Sequence, residues 1–181
     1  MIKNKITIAG SGGQGALSMG QMIAYAGLKE GLEATWLPSY GAEMRGGTAN
    51  CSVIISEVEI PYPIVTEPDY CIVMNLPSLL KFESIVRPGG ILIINSSMIP
   101  EKATREDLSV FYVPADEIAE EEKNPRGANM VLLGVYITIA GSIKEESIAA
   151  IIDKTFTGSK ARFAESNKQL VTRGIEYGKN I

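Results

Sequence analysis

The sequence predicts an α/β fold: an open, mainly parallel or mixed sheet with helices on both faces. Three observations carry that prediction. Short β-branched runs alternate with longer segments of helical periodicity along the 181 residues, the pattern of a sheet covered by crossover helices. A glycine-rich turn joins the first such run to the first periodic segment. Hydrophobic residues make up 45% of the chain and charged residues 21%, the balance of a globular protein able to build its own core. No repeat or low-complexity linker interrupts the pattern, so one α/β domain spanning 1–181 is expected.

The elements follow in order. Residues 5–9 form a first strand that ends in Gly10-Ser11-Gly12-Gly13-Gln14-Gly15. A helix over 15–30 uses Leu17, Met22, Ile23, Ala26 and Leu28 as apolar positions, with Gly31 as its stop. Residues 33–37 and 49–56 form the second and third strands, with a glycine-rich loop between them. A connection through Pro61, Pro63 and Pro68 leads to a fourth strand, Tyr70 to Asn75. Pro77 suits the first turn of a helix carrying Leu79, Leu80, Phe82, Ile85 and Val86. The fifth strand, 91–94, ends at Asn95, and the sixth covers 109–113. The run Asp116, Glu117, Glu120, Glu121, Glu122 reads as a solvated face. Ala128 to Ala140 is apolar on every side, which predicts a buried helix; its β-branched residues leave a strand as the alternative. Gly134 gives a second helix room to approach. Helices over 145–156 and 159–178 follow, separated by Gly158.

Gly10-x-Gly12-x-x-Gly15 has the form of a dinucleotide fingerprint, and it lies after a strand and before a helix. The unit is therefore Rossmann-like. Glycines let a phosphate approach the backbone, and the free N–H groups of the helix start offer donors and a positive dipole end. Gly10, Ser11, Gly12, Gly13, Gln14 and Gly15 are the candidate ligand-binding residues. The ribose-binding acid is missing: Leu37-Pro38-Ser39-Tyr40 occupies the far end of the second strand, and Glu33 stands at its beginning. A tight turn that serves only strand–helix packing is the alternative.

Ser39-Tyr40-Gly41-Ala42-Glu43-Met44-Arg45-Gly46-Gly47 leaves the second strand on the same edge of the sheet. Arg45 has the fork to clamp a carboxylate or phosphate, and Glu43 to pair with it or to accept from a partner. A surface loop with a weak ion pair is the bland alternative. Asn75 and Asn95 end strands on this edge, where turn-forming asparagines are common. Asn129 opens the buried helix, as a cap or as a polar contact at an interface.

Composition removes whole classes of chemistry. With no histidine and two cysteines, the chain builds no Ser-His-Asp or Cys-His catalytic set, no Cys/His zinc finger and no four-cysteine cluster. A formal charge of −4 argues against nucleic-acid binding. No apolar run reaches the length of a bilayer span, and the start lacks a signal-peptide pattern, so the expectation is a cytoplasmic protein off the membrane. Cys51 and Cys71 are then reduced, buried small hydrophobes in strands.

Together, Gly10–Gly15, Ser39–Gly47 and Arg126-Gly127-Ala128-Asn129-Met130 resemble the gamma subunit of the 2-oxoacid:ferredoxin oxidoreductases. The resemblance covers nearly the whole chain and departs at Ala42, where many relatives have proline. It implies a subunit of an enzyme converting a 2-oxoacid and coenzyme A into acyl-CoA, CO2 and reduced ferredoxin, inactive alone. It implies alpha and beta partners, with a ferredoxin-like delta subunit as a further one, and ferredoxin as electron acceptor. Thiamine diphosphate and iron–sulfur clusters would sit on those partners, this chain binding none alone and sharing coenzyme A. Ser39, Tyr40, Glu43, Arg45, Gly46, Gly47 and Asn129 would lie at an interface or at the mouth of the active site. A stand-alone nucleotide-dependent oxidoreductase and a purely structural subunit are the competing expectations.

Overall fold

A computed structural model describes residues 3–39 and 48–181. The strands are β1 (Lys3–Ser11), β2 (Glu33–Ser39), β3 (Thr48–Ser56), β4 (Tyr70–Val73), β5 (Ile91–Asn95) and β6 (Ser109–Val113). The helices are α1 (Ala16–Lys29), α2 (Leu76–Phe82), α3 (Ala115–Glu121), α4 (Ala128–Ala140), α5 (Glu145–Thr155) and α6 (Ala164–Gly178). One sheet holds the strands in the order β2-β3-β1-β4-β5-β6. β1, β4, β5 and β6 are parallel, whereas β3 pairs antiparallel with both β1 and β2. The sheet is therefore mixed, and β3 separates the first two strands of the chain.

Strand residues alternate between two cores, as the pleat requires. On one face Ile6, Ile8, Val53, Ile72 and Ile93 pack with residues of α1, α3, α4, α5 and α6. On the other, Ala9, Cys71, Val73, Leu92 and Ile94 pack with Leu79 and Phe82 of α2 and with Ile99. Each buried Ile or Leu side chain contributes about 1.5–3 kcal/mol of transfer free energy. Glu83 fastens the loop under α2, accepting from the backbone N–H groups of Thr104 and Arg105. Helices thus cover both faces, unequally.

α4 is buried through most of its length because α6 lies against it at backbone distance. A Cβ on Gly134 would overlap the carbonyl of Val171, and one on Gly174 the carbonyl of Val131. The apolar segment 128–140 is thus a helix, with the close approach that Gly134 suggests. Gly31 follows α1 at φ 81°, the left-handed stop expected there.

The acidic run is the solvated face of α3, which buries Ile118 and Ala119 and leaves Glu117, Glu120 and Glu121 exposed. Five expected bounds need correction. The first strand runs from Lys3 to Ser11, so Gly10 and Ser11 belong to β1. The helix after Pro77 ends at Phe82, and a 3-10 turn over Glu83–Ile85 follows. The helix over 159–178 is two pieces: a 3-10 turn over Gly158–Phe163, then α6. The fourth strand ends at Val73, because Asn75 has turned into the cap of α2. The second strand continues to Ser39 through Pro38, tolerated because β2 is an edge strand.

Candidate functional site

The sheet order creates a crevice at one place. β1 leads into α1 on one face, and its parallel neighbour β4 leads into α2 on the other. Helices that leave in opposite directions open a gap at the carboxyl ends of their strands, where open α/β sheets bind ligands. The Gly10–Gly15 loop forms one lip of that gap.

Gln14 shapes the loop. Its Oε1 accepts from the Ser11 backbone N–H at 2.7 Å and the Ser11 hydroxyl at 2.9 Å. Its Nε2 donates to the Met74 carbonyl at 3.1 Å, so one amide ties the end of β1 to the exit of β4. Gly10 leaves room for that amide: a Cβ there would lie 2.7 Å from Gln14 Oε1 and 3.0 Å from Met74 Cβ.

Gly13 (φ 91°) and Gly15 (φ 82°) are left-handed, a conformation that costs other residues energy. Gly12 and Gly13 are exposed, and a Cβ on Gly13 would meet none of the described residues within 4 Å. Gly15 is the N-cap of α1, and no side chain caps it. The first turn of α1 carries no acidic residue. Among the described residues, then, no side chain caps the first N–H groups of this 14-residue helix or offsets its dipole end, an arrangement suited to an anion.

Asn129, only 6% exposed, comes to this loop from α4 and donates from Nδ2 to the Gly15 carbonyl at 3.3 Å. It makes a polar contact between α4 and α1, whereas the N-cap of its own helix is Gly127. Of the second motif, Tyr40, Glu43, Arg45, Gly46 and Gly47 lie outside the described residues, as does Ala42. Its anchors are described: exposed Ser39 pairs with Asn50 on β3, and Thr48 pairs with Ser11 of the glycine loop. The Thr48 hydroxyl is buried with no hydrogen-bond partner among the described residues.

The other strand-end asparagines serve the scaffold. Asn75 Oδ1 accepts from the Ser78 N–H at 3.1 Å and caps α2. Asn95 Nδ2 donates to Asp116 Oδ2 at 2.6 Å. The dinucleotide reading fails on geometry as well as on sequence. Glu33 is exposed at the start of β2, and β3 lies between β2 and β1. Cys51 and Cys71 are buried, and burial pushes both thiols up to about 12. Among the described residues no three His, Cys, Asp or Glu gather as metal ligands. No helix among them is long and apolar enough to cross a membrane.

A cleft of about 370 Å³ adjoins the loop, lined by Ser18, Arg126, Asn129, Lys160 and Asn167 among others. Lys160 and Asn167 are functional candidates that motif reasoning misses, because no spacing rule joins them to residue 18.

The sequence matches the family described as pyruvate ferredoxin/flavodoxin oxidoreductase over residues 5–177. The chain belongs to that family. It is similar to ketoisovalerate oxidoreductase subunit VorA of Methanothermobacter marburgensis, 38% identical over 176 residues. That alignment covers 97% of this chain and 36% of VorA, so the chain spans about a third of that relative. It is also 31% identical to the pyruvate/ketoisovalerate oxidoreductases common subunit gamma of Thermococcus kodakarensis, covering 86% of this chain and 88% of that one. The 2-oxoglutarate:ferredoxin oxidoreductase of Magnetococcus marinus, solved with 2-oxoglutarate, coenzyme A and succinyl-CoA, shares the fold. Its TM-score is 0.89 at 24% identity, over 100% of this chain and 32% of that one. In this member of the pyruvate ferredoxin/flavodoxin oxidoreductase family, the glycine loop, the anchors of the second motif and Asn129 meet at one edge of the sheet.

Proposed function

We propose that this chain is the gamma subunit of a multi-subunit 2-oxoacid:ferredoxin oxidoreductase, working in the cytoplasm as one domain and holding coenzyme A at its glycine loop. The complex would convert a 2-oxoacid and coenzyme A, with oxidised ferredoxin as acceptor, into acyl-CoA, CO2 and reduced ferredoxin. The observation that carries the reading is the uncapped start of α1, with Gly13 and Gly15 left-handed beside it. Coenzyme A brings a diphosphate that fits such a donor set, and its thiol accepts the acyl group.

The chain's own residues bind and orient. Backbone N–H groups from Gly12 to the first turn of α1 hold the diphosphate. Gln14 and Asn129 fix the loop from behind through Ser11, Met74 and Gly15. Glu43, Arg45 and their neighbours Ser39, Tyr40, Gly46 and Gly47 belong to the mouth of the site or to the subunit interface. Redox and thiamine chemistry falls to alpha, beta and ferredoxin-like delta partners, a division supported by the chain's lack of histidine and its two cysteines. The substrate is set elsewhere too: the relatives carry names for pyruvate, ketoisovalerate and 2-oxoglutarate enzymes.

Purification from the native cell tests the assembly. Co-elution with a thiamine- and cluster-containing partner is expected; a lone, colourless, NAD-binding protein overturns it. In the assembled enzyme, Gly13→Val should raise the KM for coenzyme A about tenfold or more, the effect of losing one or two good donors to a charged group. A purely structural subunit is the second reading, favoured by the Gln14 amide, which makes three hydrogen bonds that hold the turn. An unchanged KM would establish that reading instead.

A further inference from the structure

A groove of about 530 Å³ runs between α1 and α5, lined by Tyr25, Leu28, Lys29, Ile151, Lys154 and Thr155. It lies further along α1 than the cleft beside the glycine loop: Tyr25 is two helical turns, about 10 Å, beyond Ser18. α1 packs on the sheet without its groove residues. Met19, Met22, Ile23 and Ala26 fill its inward side, whereas Tyr25 and Leu28, three residues apart on one ridge, are half exposed. Ile151 adds apolar surface from α5.

A cation stands on each wall. Lys29 and Lys154 are exposed, and neither forms an ion pair among the described residues. Their acidic neighbours in sequence are engaged elsewhere: Glu30 accepts from the Lys144 N–H at 2.7 Å, and Asp153 pairs with Lys168 at 3.1 Å. In a chain of net charge −4, an apolar groove bordered by two uncommitted lysines is complementary to an apolar ridge flanked by carboxylates. The relatives favour a subunit as the bearer of that ridge. The matching region is a third of a longer chain in VorA and nearly the whole of the common gamma subunit. Where it stands as a chain of its own, a surface takes over what the covalent link does in the longer one.

We infer that the α1–α5 groove docks another subunit of the same enzyme, through an amphipathic helix whose apolar ridge is flanked by Asp or Glu. The inference rests on the gamma-subunit reading. Tyr25, Leu28 and Ile151 receive apolar side chains three or four residues apart on that helix, and Lys29 and Lys154 meet its carboxylates at the rim. Each lysine also sits in the last turn of its own helix, where a cation offsets the dipole, so the test has to separate the two roles.

The purified complex can be treated with a water-soluble carbodiimide, which joins a lysine amine to a carboxylate in contact with it, and the joined peptides mapped by mass spectrometry. Lys29 and Lys154 should be joined to Asp or Glu of another subunit. Bonds only to carboxylates of this chain or of a second copy of it, or no bond at either lysine, would overturn the inference. Two double variants measure the contact: Lys29→Gln with Lys154→Gln, and Tyr25→Gln with Leu28→Gln. Each should lower recovery of the other subunits with the tagged chain about tenfold or more, while the isolated chain keeps its melting temperature. Recovery by the wild type should fall as salt rises from about 0.1 to 1 M, and the lysine variant should lose most of that dependence. Undiminished recovery by both variants would overturn the inference. So would a lysine variant that melts earlier yet recovers its partners in full, which is the dipole role alone. If the wild-type chain recovers no thiamine- and cluster-containing partner, the gamma-subunit reading itself has failed.

Discussion

Two groups of glycines divide this molecule. Gly134 and Gly174 are packed so that a Cβ would overlap the backbone of the facing helix, yet neither has a positive φ. Gly13 is the reverse: φ 91° with open space where a side chain would go. The first group is glycine for lack of room between α4 and α6. At Gly13 the backbone conformation demands glycine, and no described residue fills the space beside it, as at the turn glycines Gly31, Gly89, Gly141 and Gly158. Gly15 belongs to both groups, with φ 82° and the Asn129 amide against it. A glycine pattern in a sequence thus joins two physical causes, lack of room and backbone conformation, and what separates Gly13 from the other turn glycines is its place before the start of α1.

Substitutions can break that division. The largest effect is expected for Gly134→Val, which forces α4 and α6 apart. We expect a loss of about 3 kcal/mol or more, a fall in melting temperature of roughly 6–12 °C by calorimetry, and poor folding at the growth temperature. Gly13→Ala should cost only the strain of a left-handed alanine, about 1 kcal/mol and roughly 2–4 °C. Equal destabilisation by the two substitutions would erase the distinction. The smallest effect concerns a third close approach, where Gly20 of α1 sits over the Cys51 sulfur. Burial raises the thiols of Cys51 and Cys71 from 9.0 to about 12. The unfolded chain therefore loses these protons first, and stability should fall as pH rises above 9 towards 12. Melting curves between pH 7 and 10 check the sign; thiol reagents at pH 8 should react only as the chain unfolds. A melting temperature that rises over pH 9–10 would mean that these sulfurs are not packed as described.

Much of the fold was legible because apolar patterns report burial. Ile91–Ile94 alternates between two cores and could only be a covered strand. Ala128–Ala140, apolar all round, proved to be a helix wrapped by others. The direction of β3 was not legible, since Val53–Ile55 reads the same either way. α3 was hidden because its seven residues bury only a few small or apolar side chains among acids. In the site, the loop and its helix were visible as glycines, but not what Gln14 does. Its partners are a backbone N–H, a hydroxyl three residues back and a carbonyl 60 residues on, and no sequence pattern marks a carbonyl. The cleft was invisible for a related reason: Asn129 and Asn167 line one space because α4 and α6 pack together at their glycines, 38 residues of sequence apart.

The insertion of β3 between β1 and β2 makes the sheet a ruler for the site. Because Thr48 is locked opposite Ser11 and Asn50 opposite Ser39, ladder pairing fixes where Ser39 and Thr48 stand relative to the glycine loop. A slip of β3 by one residue would carry Thr48 away from Ser11 and turn the buried Val53 and Ile55 to the opposite face, so the core that holds the register also holds the site in place.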